Sequence, residues 1–277
     1  MKKIGFIDYR IDEWHANNYP GWIKTAAEDL KLDYALTYAY ATENNPDGLT
    51  TDEWCQKFGV EKCETIDEIC QKSDVLLVLA PSNPETHLAF AKAVLPYGKP
   101  TYIDKTFAPD TATALEIFAL AEKHHTPLFS SSALRYAKEL DGLKDAANII
   151  TCGGGSNAPE YIIHQAEMVI RLLKDEPIAF KAESQGTQIV FRARFAHGAN
   201  VSMIFARSLP FGICVEDTHG GETNAVVTSD TFGGLIRDIL RFYETGTPSF
   251  DTSETINVMR LREGALKALE TPEVWVR

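Results

Sequence analysis

Three stretches of this chain bring together residues that could bind a ligand or move a proton. The first is Asp104-Lys105-Thr106, which follows the short apolar run 100–103. A lysine at the carboxyl end of a buried strand is partly desolvated, and desolvation lowers an ammonium's pKa toward the range useful for proton transfer. The same sequence also suits a loop lysine that merely pairs with Asp104. The second is Glu160 and His164, four residues apart and so on one face of a helix. A carboxylate beside an imidazole can orient the ring and hold its charge state, although such pairs also occur on plain surfaces. The third is a set of strand ends. Asp8-Tyr9-Arg10 closes the first apolar run, and Ala80-Pro81-Ser82-Asn83 closes another, with His87 just beyond. Ligands of open α/β sheets gather at such carboxyl ends.

The first strand end also carries a negative signal. A dinucleotide-binding turn needs G-x-G-x-x-G so that backbone can approach a pyrophosphate. Residues 8–15 here read Asp-Tyr-Arg-Ile-Asp-Glu-Trp-His, with no glycine and three carboxylates. Arg10 either contacts a phosphate or pairs with Asp12 or Glu13. Glu43, shortly after the second strand, is a candidate acceptor for a ribose hydroxyl. Gly153-Gly154-Gly155 lacks the Lys-Ser/Thr of a phosphate loop and reads as a flexible connection. No H-E-x-x-H or comparable ligand spacing occurs, so no metal is expected.

The elements that must position these residues follow from pattern. Residues 3–8, 33–40, 74–80, 100–104 and 127–131 read as strands, and 12–30, 51–58, 65–72, 85–95 and 111–124 as helices. Pro20-Gly21 disturbs the first helix. The uninterrupted Val-Leu-Leu-Val-Leu-Ala of 75–80 is apolar on both faces, which belongs in the middle of a parallel sheet covered by helices. Alternation of strand and helix to about residue 130 predicts a doubly wound parallel sheet. The second half differs. A helix from 156 or 157 to 174 precedes strands at 178–184, 188–196, 200–207, 213–218 and 222–228 without helices between them. Helices at 231–243 and 253–269 close the chain. The expected organisation is an α/β protein of two domains. Residues 1–130 form the doubly wound sheet, and 131–277 form an α+β substrate and dimerisation domain with a mostly antiparallel sheet, whose final helix can pack back on the first.

Composition excludes some partners. The chain of 277 residues has a net charge of −12, which disfavours nucleic acid and anionic membrane. Its apolar runs are too short to span a bilayer, and no signal peptide is read at Met1-Lys2-Lys3. Five cysteines without C-x-x-C spacing fit a reducing, cytoplasmic setting.

Taken together, these segments resemble the Gfo/Idh/MocA family of oxidoreductases (glucose–fructose oxidoreductase and inositol dehydrogenase). The likeness is clearest from Glu64 to Tyr136. There it rests on Thr65-Ile66-Asp67-Glu68-Ile69, Ser73-Asp74-Val75-Leu76, Pro84-Glu85-Thr86-His87, Gly98-Lys99-Pro100 and Asp104-Lys105-Thr106. The family's usual Glu-Lys-Pro at the last site keeps only its lysine here. Its D-x-x-x-H motif is similar to Glu160-x-x-x-His164, with Glu for Asp. The resemblance implies a Rossmann-type first domain with NAD or NADP across its strand ends, near Asp8, Tyr9, Arg10, Ala80, Pro81, Asn83, His87, Asp104 and Lys105. It implies hydride transfer to or from a hydroxyl carbon of a sugar, polyol or related small molecule. His164 would be the acid/base, Lys105 would polarise the oxygen, and Glu160 would tune both. It also implies a homo-oligomer formed through the second sheet. The alternative is a family member that lost the cofactor and binds a sugar-like ligand in a regulatory role, which the carboxylate-rich first turn favours.

Overall fold

In the computed structural model, which describes residues 1–277, the chain opens with strand β1 (Lys2–Asp8) and helix α1 (Trp14–Leu30). Then come β2 (Tyr34–Ala41), α2 (Thr51–Phe58), the two-residue β3 (Glu61–Lys62), α3 (Ile66–Lys72) and β4 (Val75–Val78). They are followed by α4 (His87–Val94), β5 (Thr101–Ile103), α5 (Thr111–Lys123) and β6 (Leu128–Phe129). The six strands form one parallel sheet in the order β3-β2-β1-β4-β5-β6. The order reverses between β1 and β4, the switch point where such sheets take ligands.

Local chemistry explains these elements. Every residue of β4 is buried, as its unbroken apolar sequence requires. Thr50, Thr65 and Asp110 each accept a backbone hydrogen bond at a helix start, and Thr50 with Glu53 completes a capping box. Helix α1 runs unbroken through Pro20, so the expected disturbance there does not end it. Gly5 lets α3 lie close on β1, because a Cβ there would stand 2.3 Å from Ser73 Oγ.

The second half begins with β7 (Ala146–Gly153) and α6 (Ala158–Leu173), then β8 (Pro177–Gln185), β9 (Gln188–Phe195), β10 (Asn200–Phe205), β11 (Gly212–Asp217) and β12 (Glu222–Val226). Their sheet has the order β12-β11-β7-β10-β9-β8. Phe191, Ala193 and Phe195 of β9 turn inward, while Arg192 and Arg194 between them face out. Strand β7 is not expected from sequence. Asn148 and Thr151 interrupt its apolar run, and it runs into the glycine triplet. It lies in the interior of the sheet and pairs parallel with β10, the one parallel pairing in an otherwise antiparallel sheet. Helix α7 (Thr231–Thr245) and helix α8 (Thr252–Ala268) end the chain. The ring of Phe180 on β8 would lie 2.4 Å from a Cβ at Gly264, which fixes α8 on that sheet.

Two compact units result. One contains Met1–Ser131 and Phe232–Phe250, the other Ser132–Thr231 and Asp251–Arg277. The first boundary, after Ser131, lies beside the expected one at residue 130. Segment 232–250 returns to the first unit, while the last helix stays with the second. The reason is packing within the first unit. Phe232 stacks on Trp22 with ring centroids 4.5 Å apart, Phe242 meets Phe129 at 4.8 Å, and Tyr243 donates to the Leu76 carbonyl at 2.8 Å. Glu244 binds Lys2 at 2.8 Å and accepts from Tyr34. No helix is long and apolar enough to cross a membrane.

Candidate functional site

The turn between β1 and α1 is filled by the chain's own carboxylates. Asp8 is 1% exposed. Its Oδ1 accepts from the Arg10 amide at 3.2 Å and the Ala80 amide at 3.1 Å, and its Oδ2 is buried without a hydrogen-bond partner. Burial, reinforced by the charge of Glu13, raises the Asp8 pKa well above the usual range. Glu13 caps α1, where its carboxylate accepts from the amides of His15, at 2.7 Å, and Ala16. These are the amides a phosphate takes at a helix start. Burial pushes Glu13 upward too. Arg10 pairs with Glu43 at 2.9 Å, not with Asp12 or Glu13, and its Nε is buried without a partner. Asp12 instead accepts from Asn17 and the Leu49 amide. Tyr9 lies beside Arg10, the guanidinium 5.3 Å from its ring centroid.

At the end of β4, Ala80 adopts a left-handed φ of 58°. Pro81 is buried, and half-buried Asn83 donates to Glu85. His87 departs from the expectation that it contacts a cofactor. It is fully buried, with Nδ1 3.0 Å from the Phe107 carbonyl and Nε2 2.7 Å from the Leu79 carbonyl. Both ring nitrogens are committed to backbone, so His87 ties the β4 end to the loop after β5 and has none left for a ligand.

The end of β5 holds a buried network. Asp104 is fully buried, and its Oδ2 meets His15 Nδ1. Its Oδ1 accepts from the Lys105 amide at 2.9 Å, the Tyr102 hydroxyl at 3.2 Å and the Tyr19 hydroxyl at 3.3 Å. Burial alone would raise the Asp104 pKa. His15, through charge and hydrogen bond, and then Lys105 outweigh it, so Asp104 is lowered and stays ionised. Burial and the Asp104 charge raise the Tyr19 hydroxyl well above its usual value, which keeps it a donor. Lys105 is 9% exposed, and a cis peptide joins it to Thr106. The aspartate is thus a buried anchor for the lysine, held by two tyrosines and a histidine. His15 has no role assigned from sequence. Its signal is only its place on the first turn of α1, opposite strand ends distant in sequence.

In the second unit, His164 lies on α6 and is 9% exposed. Its Nδ1 is 2.6 Å from Ser132 Oγ, and its ring meets Phe211 and Tyr161 edge-on. The Ser132 amide donates to Glu167, which Arg135 binds at 2.8 Å, and Arg135 also binds Glu254. Glu160 accepts from Ser156 and Asn157 at the start of α6. Ser132 is missed by sequence reasoning, although it ends the conspicuous run Ser130-Ser131-Ser132. No group of three or more His, Cys, Asp or Glu side chains is placed to hold a metal ion.

Residues 34–132 match the model of an oxidoreductase family with an NAD-binding Rossmann fold, Gfo/Idh/MocA. This stretch is similar to that family. It takes in β2 through β6 and with them the ends of β4 and β5 that carry Ala80, Asp104 and Lys105. Over 57 residues the chain is 39% identical to an uncharacterized oxidoreductase, YhhX, of Escherichia coli K12; that stretch is 21% of this chain and spans only 16% of the relative's length. Among solved structures, the fold is similar to myo-inositol dehydrogenase of Lactobacillus casei, solved with NAD(H) and myo-inositol, at a TM-score of 0.82, with 11% identity, 100% of this chain and 97% of that one covered. A probable dehydrogenase of Thermotoga maritima gives 0.80, with 15% identity and coverage of 99% and 98%. UDP-N-acetylglucosamine 3-dehydrogenase of Acidithiobacillus ferrooxidans gives 0.75, with 15% identity and coverage of 96% and 97%. At these identities the likeness is one of fold: a parallel Rossmann sheet and a second, mostly antiparallel sheet.

The Gfo/Idh/MocA description implies a nicotinamide dinucleotide, and the first turn can be tested for it. Two buried polar atoms there have no hydrogen bond, Arg10 Nε and Asp8 Oδ2. Arg10, its side chain 42% exposed, is a cation suited to a phosphate at the switch point, whereas the buried Asp8 carboxyl is not. The glycines of the usual turn are replaced, and their task would fall to Arg10.

Proposed function

We propose that the protein is an NAD(P)-dependent oxidoreductase acting on a hydroxyl-bearing carbon of a sugar, polyol or related small molecule. The observation that carries this reading is the Lys105 site. There a lysine is held at the carboxyl end of β5 beside an aspartate that His15 and Lys105 keep ionised and that Tyr19 and Tyr102 hydrogen-bond. The family match over 34–132 and the fold shared with dehydrogenases that bind myo-inositol or a nucleotide sugar support it.

Nicotinamide, when bound, supplies the hydride acceptor or donor. Arg10 would hold the phosphates, with Asp8, Tyr9, Ala80, Pro81 and Asn83 around them and Glu43 placed for a ribose hydroxyl. In the first unit Lys105 is the group that would polarise a substrate hydroxyl; in the second, His164 is the candidate acid/base, with Ser132 fixing its ring through Nδ1. Glu160, half-buried at the start of α6, adds negative charge one turn before His164. The second sheet is the surface through which copies of the chain would associate, and a cytoplasmic setting agrees with five free cysteines.

One observation favours a second reading, a cofactor-free binding protein. The Glu13 carboxylate occupies the amides of His15 and Ala16. A thermal-shift panel separates the two, because a ligand bound only by the native state raises its melting temperature by mass action. NADH or NADPH at millimolar concentration should raise it. If neither does while a sugar or polyol does, the second reading replaces the first.

A further inference from the structure

The two faces of the second sheet differ. Helices α6 and α8 cover one. On the other, a single row of Cα partners crosses the strands: Glu222 on β12, Glu216 on β11, Asn148 on β7, Asn200 on β10 and Arg194 on β9. All of them are exposed. Charge is divided along this row. Glu216 and Glu222 are direct cross-strand neighbours, a placing of like charges that costs a sheet stability. They accept from the Asn148 amide at 2.8 Å and the Cys214 thiol at 3.5 Å, not from a cation. At the far end Arg194 is held over Trp275, its guanidinium 4.2 Å from the ring centroid, and is matched to no carboxylate. Its neighbours Arg192 and Lys181 share Glu183. In the adjoining row, Ile150 at the middle of the sheet is 48% exposed.

We propose that this face takes a second copy of the chain about a two-fold axis parallel to the strands and between β7 and β10, so that Arg194 of each copy meets Glu216 of the other. The inference rests on the association of copies proposed above and gives it a symmetry and a charge pair. In the order β12-β11-β7-β10-β9-β8, β7 and β10 are the central strands. Such an axis sets each strand opposite its counterpart counted from the other edge: β11 opposite β9, and β12 opposite β8. It keeps each row on itself, so the acidic end of one copy lies on the basic end of the other, twice. Asn148 then meets Asn200, two amides able to exchange hydrogen bonds. Ile150 of both copies lies beside the axis, at the centre of the contact, where water is best excluded. An axis across the strands, through the Ile150 row, fits poorly. It would set each strand on itself and lay Glu222 and Arg194 against Val226 and Val190, with their charges uncompensated.

The test is sedimentation velocity of the full chain over a concentration series. The unaltered protein should dimerise, and less tightly at high salt. Arg194→Glu should raise the dissociation constant at least about tenfold, because symmetry counts each reversal of charge twice. Glu216→Arg should do the same. An equimolar mixture of the two variants should recover the dimer, since each then offers the other the opposite charge at both contacts. Recovery on mixing also shows that both variants are folded. Should either lose its fold by circular dichroism, Arg194→Gln removes the charge without reversing it and should still weaken the dimer; unaltered affinity in that protein overturns the inference. A dimer that neither charge reversal weakens, or weakened variants that do not recover on mixing, also overturns it and leaves association through the sheet intact. An unaltered protein that stays monomeric at every concentration overturns the association reading, and the inference with it.

Discussion

His15 presents Nδ1 to Asp104 Oδ2, with 8% and 0% of the two side chains exposed. Eighty-nine residues separate them, so the pair fastens the first turn of α1 to the end of β5. His15→Ala should cost about 3 kcal/mol, the lower end for breaking a buried pair, because two tyrosines and an amide still serve Asp104. Asp104 has a lowered folded pKa. Its contribution is therefore complete above the unfolded value of about 3.9 and disappears as pH falls through the folded one. Urea melts should show the largest loss near neutrality and a shrinking one in acid, with Asp104→Asn recovering part of it in the double variant.

Lys105→Ala should lower kcat by roughly 10²- to 10⁴-fold, the range for a positioned acid–base group. NADH affinity should change little by fluorescence titration, because Arg10, proposed above to hold the phosphates, is untouched. Wild-type turnover in this variant would remove Lys105 from the chemistry.

Ser132→Ala should lower kcat about fivefold, equivalent to a hydrogen bond of about 1 kcal/mol, with KM nearly unchanged. Ser132→Thr should restore most of it, since the hydroxyl is kept. Steady-state kinetics of both proteins checks the point; equal loss in the two would mean that packing, not the bond to His164 Nδ1, was disturbed.

Arg135 lies between Glu167 and Glu254, all three at or below 5% exposed. Arg135→Ala leaves two buried carboxylates without their cation and should cost about 3–5 kcal/mol. In denaturant melts followed by circular dichroism the loss should be smaller for Arg135→Met combined with Glu167→Gln, which removes one of the charges as well.

Much of the fold is legible in the amino-acid sequence. Strand β4 announces itself because an apolar run buried on both faces has no polar residues to confuse it. The strands from β8 to β12 are legible through alternation such as Phe191-Arg192-Ala193-Arg194-Phe195. Strand β7 is not, because its neighbours β10 and β11 supply context that Asn148 and Thr151 hide. At the candidate site, Lys105 and His164 stand out by residue type and spacing. Their holders, His15 and Ser132, do not, because a bond across 89 or 32 residues leaves no local pattern. The first turn is legible in its missing glycines. That Glu13 folds back onto its own helix amides is a property of the backbone, and no residue pattern announces it.

Segment 232–250 has a consequence for how the chain is made. The first unit's sheet ends by residue 129, yet a helix that covers it is encoded about a hundred residues later. On the ribosome, β1 to β6 emerge early and wait, with Trp22, Phe129 and Tyr34 lacking the contacts that Phe232, Phe242 and Tyr243 bring later. The second sheet is synthesised in that interval. The unit that appears first in the sequence is therefore completed among the last, and a nascent chain stalled before about residue 250 carries an open apolar face that a chaperone would recognise.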